Sequence, residues 1–154
     1  MVRGIVESVL GPFGVRILHF YEANSLSINL IVLVYGFVML ASWTTLIRIY
    51  QYMVVSVARQ IHLHPNLNRK SSIKKIREAI TIPWQEAVDV APFPLIASQI
   101  ALLPVPKSAK AIQRVVDEQE LVSHALEVLK GTNPRKVRPS YRKMWSKMGV
   151  KKDT

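Results

Sequence analysis

Residues 28–47 read INLIVLVYGFVMLASWTTLI, a run of twenty residues that carries no formal charge. A helix of this length reaches about 30 Å, which is the thickness of a bilayer hydrocarbon core. Arg48 separates this run from a second apolar stretch, residues 49–58. The pattern predicts one membrane-spanning helix that continues beyond the bilayer, within residues 24–63. The predicted fold is an all-α membrane protein with short amphipathic helices and proline-rich irregular segments in addition to that helix.

The basic residues of the 154-residue chain follow the apolar run. Residues 1–27 contain two arginines and two glutamates, whereas residues 48–154 contain 19 Lys/Arg against 8 Asp/Glu and account for the whole net charge of +11. By the positive-inside rule, the C-terminal side then faces the cytoplasm or the mitochondrial matrix. The predicted location is an inner membrane, either mitochondrial inner or bacterial plasma membrane, with the N-terminus outside.

The N-terminal part, residues 1–23, alternates apolar and polar residues at helical spacing and includes Arg16 and His19. Such an amphipathic segment suits either the membrane interface or the surface of a neighbouring subunit. A cleaved signal peptide would need a shorter apolar region and small residues at its end. Trp43 and two threonines stand there instead, so the sequence favours a retained helix, and Asn24 or Ser25 is the predicted N-cap.

One face of the predicted helix collects its small and polar residues. We predict contacts with a partner helix for these residues: Gly36, Ala41, Thr44, Thr45, Arg48, Gln51, Tyr52 and Arg59. The opposite face carries the apolar residues Leu46, Ile49, Tyr50, Met53, Val54 and Val57. Arg48 has two interpretations, because its guanidinium either extends to the interface or pairs with a group on a partner helix.

Residues 64–106 form a basic loop, a short helix and a proline-rich docking segment. Pro65 ends the long helix after His62 and His64, and we interpret this histidine pair as structural since no third metal ligand is recognisable. The predicted contacts with anionic lipid are Arg69, Lys70, Lys74, Lys75 and Arg77.

The proline-rich segment, residues 82–106, contains five prolines and no charge between residues 90 and 106. Its longest proline-free piece is too short to span a bilayer, and the prolines exclude a long helix. The segment is apolar and must be covered by the membrane interface, by a partner groove or by the chain's own C-terminal helix. In a partner pocket, Trp84 and Phe93 are the predicted anchors. A chain so interrupted is not expected to bury a large core of its own.

Residues 107–131 predict one amphipathic helix, capped by Ser108 and closed by Gly131, with His124 on its surface. The remaining residues, 132–154, form a basic tail of eight Lys/Arg in which Tyr141 and Trp145 are further predicted docking residues. Three partners suit this tail: an anionic lipid surface, an acidic protein or RNA.

The organisation of the chain favours a non-catalytic, single-pass accessory or structural subunit of a multisubunit inner-membrane energy-converting complex, of respiratory or ATP-synthase type. Such a subunit would contribute to assembly and stability, and its partners would be other membrane subunits and lipids. The alternative is a membrane tether whose tail recruits RNA, a ribosome or another acidic partner. The sequence contains no recognisable phosphate loop, metal-ligand cluster or nucleophile–base pair, so we expect neither enzyme activity nor a cofactor.

Overall fold

A computed structural model describes residues 2–64, 73–98 and 103–139, with side chains from residue 11 onward. The described chain is mostly helical, as predicted. Its first element, α1, is a long helix over Val2–Leu63 with non-helical backbone at Gly11 and Asn24. From residue 25 onward α1 is uninterrupted, so the prediction that the helix continues past residue 47 and ends near His62 is confirmed.

Each interruption of α1 has a local cause. Gly11 has a φ of 65°, which glycine adopts far more readily than other residues. The next residue, Pro12, has no amide hydrogen to donate to the preceding turn. At Asn24 the side-chain amide donates to the carbonyl of Phe20 (2.9 Å) and closes the preceding turn. The backbone is non-helical at Asn24, but the predicted N-cap there is corrected, because the side-chain amide of Asn24 serves the end of one helical segment rather than the start of the next.

Two compact units divide the chain, Met1–Val38 and Met39–Thr154. The described part of the first consists of α1 alone. The described part of the second contains a hydrophobic core of twenty buried residues, eight of which lie on α1 between Leu46 and Ile61. The expectation that this chain would not bury a large core was wrong, because the apolar face of α1 beyond the predicted span packs against the chain's own later elements.

The short helix α2, Ile73–Ala79, follows α1 and confirms the helix predicted before Pro83. Ile76 and Ile80 enter the core. The side chain of Gln60 donates to the carbonyl of Thr81 (2.8 Å) and accepts from its amide (3.0 Å), so the chain after α2 is fixed near the end of α1.

The proline-rich segment forms regular elements that the sequence did not predict. Helix α3 covers Trp84–Asp89, and two short strands, β1 (Leu95–Ala97) and β2 (Pro104–Pro106), pair antiparallel with Ile96 opposite Val105. The first and last residues of β2 are prolines, which lack an amide hydrogen and so suit an edge strand. Ile96 and Ala97 are buried, so the all-α prediction is corrected by a small hairpin that contributes to the core.

The single helix predicted over residues 107–131 is two helices, α4 (Ala109–Val115) and α5 (Glu118–Leu129). Val116 is extended, and the side chain of Asp117 accepts a hydrogen bond from the amide of Gln119 (2.9 Å), which caps α5. The predicted cap at Ser108 and the glycine ending at Gly131 (φ 109°) are confirmed. After α5, a 3₁₀ turn covers Pro134–Lys136.

Candidate membrane span and partner surface

The exposed apolar side chains of α1 are concentrated in residues 26–40. Leu26 is 84% exposed and Ile31 is 68% exposed, values that are unusual for side chains of this size in water. The other large apolar side chains exposed in this stretch are Leu30, Val32, Leu33, Val34, Tyr35, Phe37 and Leu40. They surround the helix on all sides, and α1 between Gly11 and Leu63 is long and apolar enough to cross a membrane.

The end of the predicted span requires correction. Ser42 and Leu46 are fully buried and Thr45 is 3% exposed, each within the unit that begins at Met39. Ser42, Thr45 and Leu46, near the end of the apolar run, are therefore covered by protein rather than free to face lipid. Burial of this kind depends on elements that come much later in the chain, and the local hydropathy of residues 41–47 does not reveal it.

The segment before Asn24 presents both apolar and polar side chains. Phe13, Ile17 and Phe20 are exposed, while Nδ1 of His19 lies 3.5 Å from a carboxylate oxygen of Glu22. The mixture is typical of a helix at a membrane interface.

The predicted partner face divides between exposed residues and residues that this chain itself engages. Thr44, Arg48, Arg59 and Gly36 are exposed, and Ala41 is partly exposed. Thr45 is covered by this chain and is not available to a partner helix. A contact between the exposed members and another helix remains a prediction.

Gln51 and Tyr52 bond within the chain. The amide of Gln51 donates to the carbonyls of Arg135 (2.9 Å) and Val137 (3.3 Å), and the hydroxyl of Tyr52 donates to Glu86 (3.2 Å). The polar face of α1 therefore holds the 3₁₀ turn and α3 in place, a role that periodicity alone did not predict.

The structure also joins two residues that the sequence left apart. A hydrogen bond of 2.7 Å connects the hydroxyl of Tyr50 to Nδ1 of His124 on α5, and the two rings meet edge to face. Burial, followed by the nearby carboxylates Glu120, Asp117 and Glu127, raises the pKa of the Tyr50 hydroxyl, which lies in the core and outside the exposed apolar run. His124 is a partly buried partner of Tyr50 rather than the surface residue predicted.

The predicted docking residues Trp84 and Phe93 are both partly buried, and Trp84 packs against the core. Each therefore contributes part of its surface to this chain's own fold. Tyr141 and Trp145, the other two predicted docking residues, lie outside the described residues, and so do Arg69 and Lys70 of the predicted lipid-contact set.

The remaining members of the predicted lipid-contact set lie on α2. Lys74 and Lys75 are exposed, and Arg77 approaches Glu118 at the start of α5 (3.6 Å). Arg77, Lys74, Ile73 and Gln119 line a cavity of about 400 Å³ on this surface.

In the described residues, no group of three or more His, Cys, Asp or Glu side chains is placed to hold a metal ion. No protein-family model, curated protein or solved structure was found to match this chain. The surfaces on which a function can be argued are therefore the exposed apolar stretch of α1 and the basic surfaces of the unit that begins at Met39.

Proposed function

We propose that the chain is a single-pass membrane protein that serves as a non-catalytic accessory subunit of a multisubunit inner-membrane complex. One observation carries this proposal: the large apolar side chains of residues 26–40 are exposed around the helix. Covering one such side chain is worth about 1.5–3 kcal/mol, so water is an unfavourable environment for the stretch as a whole. Lipid or partner helices supply the cover.

The dimensions support lipid as the main cover. The uninterrupted helix from residue 25 to residue 40 is about 24 Å long, slightly less than a typical hydrocarbon core. A bilayer accommodates a mismatch of this size by thinning locally. The aromatic side chains of Phe13, Phe20 and Tyr21 precede the stretch and suit the headgroup region on that side.

The charge asymmetry supports the orientation. Since all of the net positive charge follows residue 47, we place the C-terminal unit in the cytoplasm or matrix and the N-terminus outside. An inner membrane is the site we propose for this arrangement.

The accessory role is supported by how the core is built. The apolar face of α1 from Leu46 to Ile61 forms part of the same core as α2, α4 and α5, so the folded unit includes part of the helix that also contains the proposed anchor. Exposed Gly36 and Thr44 leave room for another helix to approach α1 closely. We propose an energy-converting complex, of respiratory or ATP-synthase type, as the assembly it stabilises.

The membrane part of the proposal is tested by extraction. In isolated membranes, the chain should stay with the lipid after washing at high salt and at alkaline pH, and should float with vesicles in a density gradient. A variant with Leu30, Leu33 and Phe37 each replaced by Gln should be released. Release of the unmodified chain by salt alone would overturn the membrane span.

The subunit part is tested by co-purification. Mild detergent, native separation and mass spectrometry should place the chain in one large assembly that persists at high salt, with membrane proteins as its neighbours. Recovery with RNA or ribosomal proteins, lost as salt rises, would instead support the tether, because counterion release makes such binding steeply salt-dependent.

A further inference from the structure

We propose that four basic residues, Arg48, Arg135, Lys136 and Arg138, form a binding surface for anionic phospholipid headgroups beside the membrane-spanning helix. We refer to these four residues as the proximal basic surface. The inference rests on the proposed membrane span and adds to it a lipid class and the residues that bind it.

The position of this surface follows from the hydrogen bonds of Gln51. Its amide donates to the carbonyls of Arg135 and Val137, which fixes the 3₁₀ turn and the residues after it against α1. Arg48 lies one turn before Gln51 on the same face of the helix. Gln51 follows Leu40, the last residue of the exposed apolar stretch 26–40, by eleven positions, or about 16 Å along the helix axis.

The electrostatic attraction of a charged leaflet extends over a distance of this size. The headgroup region adds roughly 5–8 Å beyond the hydrocarbon core, and the attraction of a charged surface extends for a further 8 Å or so at physiological ionic strength. Helical side chains also tilt toward the N-terminus, which directs Gln51 and Arg48 back toward the span.

The backbone that carries three of these residues is held in place. The side chain of Asn133 accepts a hydrogen bond from the amide of Arg135 (2.9 Å), Pro134 fixes the first residue of the turn, and Val137 is buried. Arg135, Lys136 and Arg138 remain exposed around that buried anchor. Little conformational freedom of this backbone is therefore lost when a ligand binds.

The charges of the proximal basic surface are also available to bind an anion. Among the described residues, no carboxylate forms an ion pair with Arg48, Arg135, Lys136 or Arg138. The segment from Lys130 to Arg138 contains four basic residues and no acidic one. A concentration of cations within reach of a bilayer favours anionic lipid over zwitterionic lipid.

The lysines of α2 provide a contrast within the same unit. The bonds between Gln60 and Thr81 fix the chain after α2 near a point twenty residues, or about 30 Å, beyond Leu40. This distance exceeds the headgroup region and the screening length together. Lys74 and Lys75 are exposed like the members of the proximal basic surface, and they lie on α2, the helix that leads to Thr81, so they serve as a control.

The experiment measures lipid selectivity of the full chain in reconstituted vesicles. Spin-labelled phosphatidylglycerol and phosphatidylcholine report the relative association constant of each lipid with the protein. The unmodified chain should prefer phosphatidylglycerol several-fold, and R48Q/R135Q/K136Q/R138Q should reduce that preference to near one. The control K74Q/K75Q/K110Q removes exposed lysines elsewhere and should leave the preference within about a factor of two.

A second measurement locates the surface directly. The chain has no cysteine, so single cysteines replacing the exposed Thr132 and Thr81 can each carry a fluorophore. Lipids with a quencher on the headgroup should quench the label at 132 more strongly than the label at 81. Quenching at 132 should increase with the phosphatidylglycerol content, and the fourfold glutamine variant should lose that increase.

The outcomes separate the two proposals. A chain that reconstitutes and floats but shows equal association with both lipids overturns the lipid surface and leaves the span intact. A chain that fails to reconstitute overturns the span. If an RNA oligonucleotide binds the detergent-solubilised chain through the same four residues while the lipid preference is absent, the surface binds nucleic acid and this inference is wrong.

Discussion

The hydroxyl of Tyr50 lies 2.7 Å from Nδ1 of His124, although the two residues are 74 positions apart in the sequence. Tyr50 is fully buried on α1, and His124 is partly buried on α5. The hydrogen bond supplies a partner for a phenol that would otherwise be desolvated without compensation. It therefore fixes the register between the first and the last long helix of the C-terminal unit.

Replacing Tyr50 with Phe should lower the free energy of unfolding by about 1 kcal/mol, because it removes one hydrogen bond and keeps the ring. Guanidinium unfolding of the full chain in detergent, followed by the fluorescence of Trp43 and Trp84, measures the change. Trp43 and Trp84 both pack against the core and so report its loss.

A double-mutant cycle with His124→Leu isolates the pair. The coupling energy should be about 1 kcal/mol, since residues that share a hydrogen bond do not act independently. Additive effects within about 0.3 kcal/mol would show that the bond contributes nothing to stability.

Two leucines on α1 should respond differently to the same substitution. Leu46 is fully buried in the core, whereas Leu33 is 56% exposed in the apolar stretch. Leu46→Ala should destabilise the C-terminal unit by about 2–5 kcal/mol, and Leu33→Ala should change its stability by less than about 0.5 kcal/mol. Equal losses in the same guanidinium assay would contradict the division of α1 into an exposed part and a core part.

The cap of α5 offers a conservative comparison. Asp117→Ala removes the acceptor for the amide of Gln119 and should cost about 1 kcal/mol. Asp117→Asn keeps a side-chain oxygen at the same position and should cost less than half of that. Thermal unfolding measured by far-ultraviolet circular dichroism distinguishes the two variants, and equal midpoints would show that the cap is not the stabilising feature.

Gly36 tests the approach of a partner helix. No atom of this chain lies within 4 Å of a methyl group built at Gly36. Gly36→Leu should therefore leave the unfolding of the purified chain unchanged, but should reduce its recovery with a partner complex several-fold if another helix packs there. Val32→Ala, a reduction in size on the same exposed stretch, is the control and should retain the complex.

The sequence predicted those features that depend on neighbouring residues. The length of the apolar run indicated the long helix, Pro65 indicated its end, and Ser108 and Gly131 indicated the two limits of the last helical region. The run is continuous in the sequence, and the other signals act within about one helical turn, so a single sequence is enough to recognise them.

Features that depend on distant residues were missed. The sequence did not indicate that the chain itself covers the apolar face from Leu46 to Ile61. The helices that cover it, α2, α4 and α5, lie 15 to 80 positions later in the sequence. His124 was placed on the surface because its partner belongs to another helix. The break at Asp117 was the exception: an aspartate followed three positions later by Glu120 resembles a capping box and was a local signal.

Among the described residues, eight of the twenty buried core residues follow the apolar stretch directly and leave the ribosome soon after it. Val137, whose carbonyl accepts a hydrogen bond from Gln51, is synthesised 86 positions after Gln51. At about 5–20 residues per second, synthesis of that interval takes roughly 4–17 s. Throughout this time the apolar face of α1 from Leu46 to Ile61 lacks part of its final cover. The folding of this unit around α1 is therefore completed only after translation has passed residue 137.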